Sequence, residues 1–445
     1  MKRVLILVTS FVILLIPFVF EPPSGLSQEG FKTLSVFIVG VLWWASQIVP
    51  IMITSIFMIT LFATLGLADS EEIYSLFGST PVFFLLGSFI LSSALKKTGI
   101  TQDIALWFIR TFGKNSKKIS VSFALASYFL SLWTVSHGVV AILVPIAIEL
   151  MNCIDSEDNK KLMKSVLFSI LWGATLGGST TPLGGARSPL VMAIVESFYN
   201  KEISFLKWIA LSFPITVSIL VVSILVIIKT TPQVNIKVTF QGGKATDPKE
   251  KFTVAVITLT TVFLWIFAGD KLGIANIALG TVVLLFLTNV ITWTDVERNV
   301  NWGIILMYGG AIVLGKMMNE TGVSQWIVNI TGIGSLPSFF EIVTIIGVGI
   351  VLTEIMSNSA ASLILAQLAL PLLGKNHLSP EAMAVLISMI TGFAYILPTG
   401  SPSVSILFST GQVEFRDFLI YGGFMTIMSC AILLVFVGFW MFAQG

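Results

Sequence analysis

The chain has 445 residues, of which 55% are apolar and only 11% are charged, and its formal net charge at pH 7 is +2. A soluble domain carries about a quarter charged residues, so the composition excludes an ordinary soluble protein. Runs of about 20 apolar residues, long enough to cross the hydrocarbon core of a bilayer, recur along the chain. The composition therefore predicts an all-α polytopic membrane protein, with no nucleic-acid partner.

The apolar runs predict about eleven transmembrane helices. In chain order these spans are 4–20, 31–49, 51–67, 80–97, 165–198 (interrupted), 204–228, 252–269, 272–290, 301–318, 381–411 (interrupted) and 418–442. The first run follows Lys2 and Arg3 as in a signal peptide, but Glu21–Pro23 stands where a small-residue cleavage site would lie. We therefore expect the first run to be a retained span.

Basic residues predict the orientation of the chain. They gather in segments that a regular up-and-down topology places on one side of the membrane, namely 2–3, 96–118, 160–164 and 229–251. By the positive-inside bias, that side is the cytoplasmic side of a plasma membrane, and the N-terminus lies there. An odd number of spans then places the C-terminus outside. The long polar segment 230–250 becomes a cytoplasmic linker between two halves.

The two halves resemble each other in sequence. Leu86–Leu91 followed by Lys97–Ile100 aligns with Gly309–Leu314 followed by Glu320–Val323. Because span 80–97 is predicted to run inward and span 301–318 outward, the repeat is inverted. An inverted repeat is typical of secondary transporters, whose substrate site lies between the repeats.

Each half also contains an apolar segment with a polar centre. Segment 119–150 is interrupted by Ser136–Gly138, and segment 338–373 by Ser357–Ser359. The arm after Ser136–Gly138 is too short to cross a bilayer, so we expect two re-entrant hairpins with polar tips inside the protein. The alternative is a pair of tilted spans. The basic residues disfavour that alternative, because a crossing at 119–150 would move 160–164 to the outside.

A Pro- and Gly-rich stretch follows each hairpin within an apolar run. These stretches are Gly177–Pro189 and Leu397–Ser403, and we expect neither to continue a helix. A break inside the membrane exposes the N-terminus of the next half-helix, whose free N–H groups favour an anion. Two tips and two breaks that converge would form a cage for a small anion.

Arg187 is the one basic residue predicted to lie well inside the membrane, where a charge is costly and implies a role. Its guanidinium is expected to bind a carboxylate of the substrate. The alternative is an internal ion pair with Glu196, Glu149 or Glu354.

The remaining groups with chemical potential are few. His137 is open to three interpretations: a contact to substrate, a proton carrier or a satisfied residue of the tip. His377 is predicted to lie in an exposed loop without a role. Cys153 and Cys430 lie in or next to apolar segments and have no metal-ligand spacing, so no cofactor is expected.

Several motifs together resemble the divalent anion:sodium symporter family of dicarboxylate, citrate and sulfate carriers. Members have a Ser-Asn-Thr motif at each hairpin tip and a Thr-Pro-rich break in each following helix. Thr353–Ser359 is similar to the second tip, Pro398–Pro402 to the second break, Asn301–Gly310 to the span before that tip, and Gln47–Pro50 to an early element. The resemblance covers most of the chain.

The resemblance implies a homodimer in which a transport domain moves like an elevator against a scaffold domain. It divides the chain into scaffold helices with the start of the first repeat (1–97), the first half of the transport domain (119–198), scaffold helices with the linker (204–290), the start of the second repeat (301–337), the second half of the transport domain (338–411) and a last span (418–442). The residues expected to bind substrate are Ser136, His137, Gly138, Thr181, Pro182, Gly184, Arg187, Ser188, Ser357, Asn358, Ser359, Pro398, Thr399, Gly400 and Ser401.

The first half departs from the family pattern. Its tip lacks the Asn and the last hydroxyl of Ser-Asn-Thr, and Arg187 stands where the family has a small residue or proline. A guanidinium and an imidazole there would repel sodium, so we expect this sodium site to be lost and the carrier to exchange anions without sodium. A residual sodium site would involve Ser357, Asn358 and Ser401.

The predicted substrates are the dianions succinate, malate, fumarate and 2-oxoglutarate, in preference to citrate or sulfate. One alternative is a sodium-coupled symporter for dicarboxylate, citrate or sulfate. Others are an anion channel and an intramembrane serine protease that pairs Ser136 or Ser179 with His137. The protease is disfavoured because adjacent Ser136 and His137 cannot easily present a hydrogen bond beside a separate oxyanion pocket.

Overall fold

The computed structural model describes residues 2–113, 115–152, 154, 158–234, 247–372 and 378–444. All regular structure within these ranges is helical, which confirms the all-α fold. His377, Cys153 and most of the predicted linker lie outside the described residues. Cys430 is half-buried and has a free thiol.

The first half of the chain contains eleven helices among the described residues. They are α1 (Lys2–Val19), α2 (Gln28–Ser46), α3 (Ile51–Thr64), α4 (Ser70–Ser75), α5 (Thr80–Lys97), α6 (Ile100–Phe112), α7 (Ser116–Ser131), α8 (Ser136–Asn152), α9 (Asn159–Thr180), α10 (Arg187–Tyr199) and α11 (Phe205–Thr230).

The second half repeats this order from α2 onward. Its helices are α12 (Pro248–Leu272), α13 (Ile274–Leu287), α14 (Trp293–Asn299), α15 (Trp302–Glu320), α16 (Val323–Thr331), α17 (Ser338–Ile355), α18 (Asn358–Ala369), α19 (Pro380–Ile390), α20 (Pro402–Ser409) and α21 (Gly423–Gln444). A short turn, Phe415–Asp417, and one π-helical turn, Phe418–Gly422, lead directly into α21.

The predicted number of full-length spans is not confirmed. Within the described ranges, five helices are long and apolar enough to cross a membrane, or six if α4 and its following turn count with α5 as one bent span. Other predicted spans are built from shorter apolar helices such as α3 and α13, which have 14 residues each. Pro50 is the N-cap of α3 and Gly273 is the N-cap of α13, so the chain turns at these points instead of extending the helices.

Helix packing shows the repeat directly. Gly87 of α5 lies against Ala278 of α13, and a Cβ at Gly87 would stand 2.6 Å from the Cβ of Ala278. Gly310 of α15 lies against Ser55 of α3 in the same way, with 2.4 Å to the Cβ of Ser55. Small residues allow helix backbones to approach closely where lipid gives no hydrophobic drive. Both contacts join residues at equivalent positions of the two halves.

Two ion pairs show that the repeat is inverted. Lys97 at the end of α5 pairs with Asp295 of α14, just before α15 begins, at 2.7 Å. Lys316 near the end of α15 pairs with Glu72 of α4, just before α5 begins. The end of each long helix therefore lies beside the start of its counterpart, so α5 and α15 run antiparallel. The predicted inverted repeat is present.

Both predicted hairpins are helical. In the first, α7 and α8 are joined by residues 132–135, and Ser136–Gly138 form the first turn of α8. In the second, α17 and α18 meet at Met356 and Ser357, and the hydroxyl of Ser357 accepts from Ala360 N at 3.4 Å as the N-cap of α18. The polar tips are therefore helix N-termini.

The first break is shorter than predicted, because Gly177 and Gly178 remain helical within α9 and only 181–186 are irregular. These glycines allow close packing against the first hairpin. A Cβ at Gly177 would stand 2.1 Å from Tyr128 O, and one at Gly178 would stand 1.8 Å from Ser136 Oγ. Pro189 lies in the first turn of α10, where no intrahelical N–H bond is lost.

The second break is longer than the predicted Leu397–Ser403. Helix α19 ends at Ile390, and α20 begins only at Pro402. Glu354 of α17 compensates for the missing helix, because its carboxylate accepts from the backbone N–H groups of Tyr395 and Ile396, both at 3.1 Å, and of Leu397 at 2.7 Å. A carboxylate from the hairpin thus satisfies backbone donors that a helix would satisfy internally.

Candidate functional site

A cavity of about 570 Å³ lies between the two hairpin tips and the two helix breaks. The beginnings of four helices line it: Ser136–Gly138 of α8, Gly184–Arg187 at α10, Ser357–Ser359 of α18 and Ser401–Ser403 at α20. The first N–H groups of a helix have no intrahelical partner and carry a partial positive charge. Four such termini at one cavity form a polar lining suited to a small anion.

The charged side chains of this lining have one sign. Lys96, His137 and Arg187 are its basic residues, and none of the described lining residues is Asp or Glu. A cavity lined by one sign of charge between low-dielectric walls raises the local concentration of ions of the opposite sign. Both the helix termini and the side chains therefore favour an anion in this cavity.

Most of the predicted binding residues meet at the cavity. Those that line it are Ser136, His137, Gly138, Gly184, Arg187, Ser357, Asn358, Ser359 and Ser401. The other predicted residues are not part of this lining: Thr181, Pro182, Ser188, Pro398, Thr399 and Gly400.

The hydroxyls of Thr181 and Thr399 hold the breaks in place. Thr181 Oγ1 donates to Leu132 O at 2.6 Å, and Thr399 Oγ1 donates to Glu354 O at 2.9 Å. Each bond connects a break to the hairpin of its own half, so both breaks are fixed to the tips in the same manner.

Arg187 lies between the two halves. Its Nε donates to Ser388 O at 2.9 Å, and its Nη2 donates to Ser179 Oγ at 2.6 Å. Ser388 is near the end of α19 and Ser179 near the end of α9, so the guanidinium stabilises the negative ends of two half-helices. Its side chain is only 6% exposed. Among the described residues no carboxylate forms an ion pair with Arg187, so the predicted internal ion pair is not formed.

Gly392 completes the packing of Arg187. A Cβ at this position would stand 2.5 Å from Nη2 of the guanidinium. The guanidinium therefore lies flat against the backbone of the second break. In the sequence, the sign of this role is a glycine two residues after the apolar run that forms α19.

Ser136 at the first tip donates hydrogen bonds to the first break. Both the backbone N–H and the hydroxyl of Ser136 donate to Gly184 O at 3.0 Å. His137 takes no part in these bonds, and its side chain is exposed to the cavity. The carbonyl at the first break is thus satisfied within the protein.

The second tip has acceptors around one amide. With its nitrogen turned toward them, Asn358 donates to Gly400 O at 2.6 Å, Thr353 Oγ1 at 3.0 Å and Thr391 O at 3.3 Å. Turned the other way, the amide would bring its own oxygen to the oxygens of Gly400, Thr353 and Thr391, and oxygens are the ligands that a hard cation takes. Thr391 is at the end of α19, and carbonyls at half-helix ends and unwound backbone are the sodium ligands of broken-helix transporters.

Several lining residues were not predicted from the sequence. Lys96 and Ser93 come from α5, Asn301 from the start of α15, and Met52 from α3. Asn301 belongs to a motif on which the family resemblance rests, but Lys96 was assigned only to the cytoplasmic basic cluster. Nothing in the local sequence separates Lys96 from its neighbour Lys97.

The inverted repeat, paired hairpins and broken helices define a multi-pass membrane transporter. The fold is similar to two solved transporters, YdaH of Alcanivorax borkumensis and MtrF of Neisseria gonorrhoeae. For YdaH the TM-score is 0.60 at 14% identity, over 84% of this chain and 89% of that one. For MtrF the TM-score is 0.57 at 14% identity, over 100% of this chain and 95% of that one.

Residues 1–443 match the family described as the sodium:sulfate symporter transmembrane region, and the chain belongs to that family. The family resemblance predicted from the motifs is thereby confirmed. Similar proteins include the sodium-dependent dicarboxylate transporter SdcS of Staphylococcus saprophyticus, 27% identical over 94% of this chain and 87% of that one. The protein of the same name from Staphylococcus aureus strain bovine RF122 is 24% identical over 95% and 88%.

Proposed function

We propose that this protein is a sodium-coupled transporter of small dicarboxylates such as succinate, malate, fumarate and 2-oxoglutarate in the plasma membrane. The observation that carries the proposal is the cavity at four helix N-termini, with a basic lining, directly beside the three oxygens that surround the Asn358 amide. The names of the SdcS relatives agree with both the substrate and the ion.

The shape of the cavity supports a dianion. Ser136–Gly138 and Ser357–Ser359 face it from two inverted hairpins, so an elongated substrate with a carboxylate at each end meets a helix N-terminus at each end. The volume of about 570 Å³ is within the usual range for a small-molecule site and leaves room for water around a C4 or C5 acid.

Sodium coupling replaces the exchange without sodium that the sequence led us to expect. The relatives are named as sodium-dependent, and this finding favours the alternative of a sodium-coupled symporter. The proposed ligands are the side-chain oxygen of Asn358, the carbonyls of Thr391 and Gly400, and the hydroxyl of Thr353. Ser357 and Ser401, the other residues predicted for a residual sodium site, stay candidates at its edge.

The first half takes no sodium in this proposal. The equivalent carbonyl, Gly184 O, already accepts two hydrogen bonds from Ser136, and the fixed charge of Arg187 lies close by. Each transport cycle would therefore use a sodium site in the second half only. Sodium bound at Asn358 would hold the second tip against its break and so complete the N-terminal wall of the substrate cavity.

Alternating access would follow from the two groups of helices. The hairpins and broken helices would move together as the transport domain against α2, α3, α5, α12, α13 and α15, in a homodimer held by the scaffold. A crosslink between α5 and α8 that abolishes transport is the expected result for this elevator motion, and unaffected transport would contradict it.

The decisive experiment is uptake of labelled succinate into proteoliposomes with sodium, potassium or choline outside. We expect uptake that requires sodium, with competition by fumarate, malate and 2-oxoglutarate but weak competition by citrate and sulfate. Full-rate succinate exchange in sodium-free medium would overturn sodium coupling. Uptake that does not saturate would indicate a channel instead.

The geometry gives no support to the serine protease. Ser136 Oγ donates to Gly184 O, and Ser179 Oγ donates to Thr175 O while it accepts from Arg187. Neither hydroxyl is directed at His137, so neither is activated as a nucleophile.

A further inference from the structure

Two adjacent lysines at the end of α5 have different environments. Lys97 forms the ion pair with Asp295 that joins the two repeats. Lys96 forms no ion pair with the residues that the structure describes, and its exposed side chain lines the cavity together with His137. One lysine is thus used for structure, while the other faces the proposed substrate space.

Lys96 lies at the same cavity as the imidazole of His137, and no carboxylate is among the described lining residues. A carboxylate of a ligand placed between the two side chains can accept from both the ammonium and an imidazole N–H. A flexible lysine side chain with three donors can follow a carboxylate over several ångströms. Lys96 and His137 are therefore arranged to hold an anionic group together.

The two side chains belong to different groups of helices. Lys96 is on α5, which packs against α13 through Gly87 and Ala278, whereas His137 is on the tip of the first hairpin. If the hairpins move relative to α5, Lys96 and His137 face one cavity only in conformations that bring this tip near the end of α5. This structure shows such a conformation, because both residues line one cavity.

The arrangement of Lys96 and His137 occurs in only one half of the inverted repeat. By the alignment of α5 with α15, the position equivalent to Lys96 is Asn319. The tip residue equivalent to His137 is Asn358, which faces the carbonyls of its break. The opposite end of the repeat therefore has no matching pair of a lysine and a histidine.

We propose that Lys96 binds one carboxylate of the dianion from the α5 end of the cavity, namely the carboxylate that lies at the helix N-terminus of the first tip. This proposal rests on the proposed dicarboxylate transport. Lys96 would select dianions over monoanions and would increase affinity on one face of the membrane only.

The test compares Lys96→Gln with Lys96→Arg and with Lys97→Gln as the matched control. Succinate transport is measured from each face, in right-side-out and inside-out vesicles. For Lys96→Gln we expect KM to rise about fivefold from one face at low ionic strength, since one charge near a dianion at the edge of water contributes about that much. The maximal rate should stay unchanged, Lys96→Arg should restore KM, and high salt should reduce the difference.

The outcomes separate the two proposals. Wild-type protein that does not transport succinate contradicts the proposed function itself. Wild-type transport with an unchanged KM for Lys96→Gln on both faces overturns the role of Lys96 alone. An equal rise of KM for Lys97→Gln, or an equal rise on both faces, also overturns it, because a general surface potential then explains the effect.

Discussion

The two hairpin tips have the same backbone plan but contact their breaks through different groups. At the first tip, the backbone N–H and the hydroxyl of Ser136 both donate to Gly184 O. At the second tip, the side-chain amide of Asn358 donates to Gly400 O, and the oxygens of Thr353 and Thr391 lie around the same amide. The amide also carries an oxygen that can turn toward the proposed cation, whereas the first tip presents two donors to one carbonyl.

The two breaks differ in length and in the charge of the side chain that stabilises them. The first is short and is stabilised by a cation, Arg187, at the ends of α9 and α19. The second is long and is stabilised by an anion, Glu354, which takes up three backbone donors. At the position that Glu354 holds before the second tip, the first half has Trp133. An inverted repeat can therefore keep its geometry while its two breaks are stabilised by side chains of opposite charge.

The largest effect is expected at Arg187. Arg187→Ala removes two buried hydrogen bonds and leaves a void beside Gly392, which should lower the free energy of unfolding by about 3–4 kcal/mol. Thermal unfolding in detergent measures the loss. The stability of Arg187→Lys should fall between that of the wild type and that of Arg187→Ala. Arg416→Ala, at an exposed position, serves as control. An Arg187→Ala protein as stable as Arg416→Ala would show that this guanidinium does not hold the halves together.

The second prediction compares the tips directly. Asn358→Ala should raise the sodium concentration for half-maximal succinate uptake about a hundredfold, the equivalent of about 2.7 kcal/mol. Ser136→Ala should leave that concentration unchanged and should cost only about 1 kcal/mol of stability for the lost hydroxyl bond. Uptake by both variants at several sodium concentrations is the measurement. Equal loss of sodium affinity in the two variants would mean that both tips bind sodium.

The third prediction concerns the long break. Glu354→Gln replaces one accepting oxygen by an NH₂ group that faces backbone donors, which should cost about 2 kcal/mol of stability. Because the segment it holds leads to Gly400, sodium affinity should weaken with it. Thermal unfolding with and without sodium tests both effects, and Glu297→Gln, at an exposed position, is the control. Unchanged stability of Glu354→Gln would indicate that Thr399 and the backbone, and not Glu354, determine the shape of the break.

The smallest effect is expected at the ion pair between the repeats. The Lys97 ammonium, through its hydrogen bond, lowers the pKa of Asp295 to about 2. Lys97→Gln should return this pKa toward its ordinary range and cost only about 0.5 kcal/mol, because the pair is partly exposed. In the wild type, the stabilisation from this ion pair is fully present above the ordinary pKa of Asp295, and it is lost as pH falls through the lowered pKa of about 2. Added salt should reduce the difference in unfolding temperature between wild type and Lys97→Gln, and a difference insensitive to salt would contradict an ionic cause.

The class of protein, the inverted repeat and the two pairs of tip and break could all be predicted from the sequence. These features follow from apolar run length, from Gly and Pro inside those runs, and from motifs such as Thr353–Ser359, all of which are local. Glycine was misread at Gly177 and Gly178 because its helix-breaking tendency is weak, and close packing against Tyr128 and Ser136 prevails in the folded protein.

The use of the polar groups depends on contacts that form only in the folded protein. One hydrogen-bond partner of Arg187, the carbonyl of Ser388, lies about two hundred positions away on α19, and the donors that Glu354 satisfies belong to the segment between α19 and α20. Lys96 and Lys97 are equivalent in the sequence, but the neighbouring repeat supplies Asp295 to one of them alone. Contacts between distant segments depend on how the two halves pack, so no local pattern in the chain encodes them.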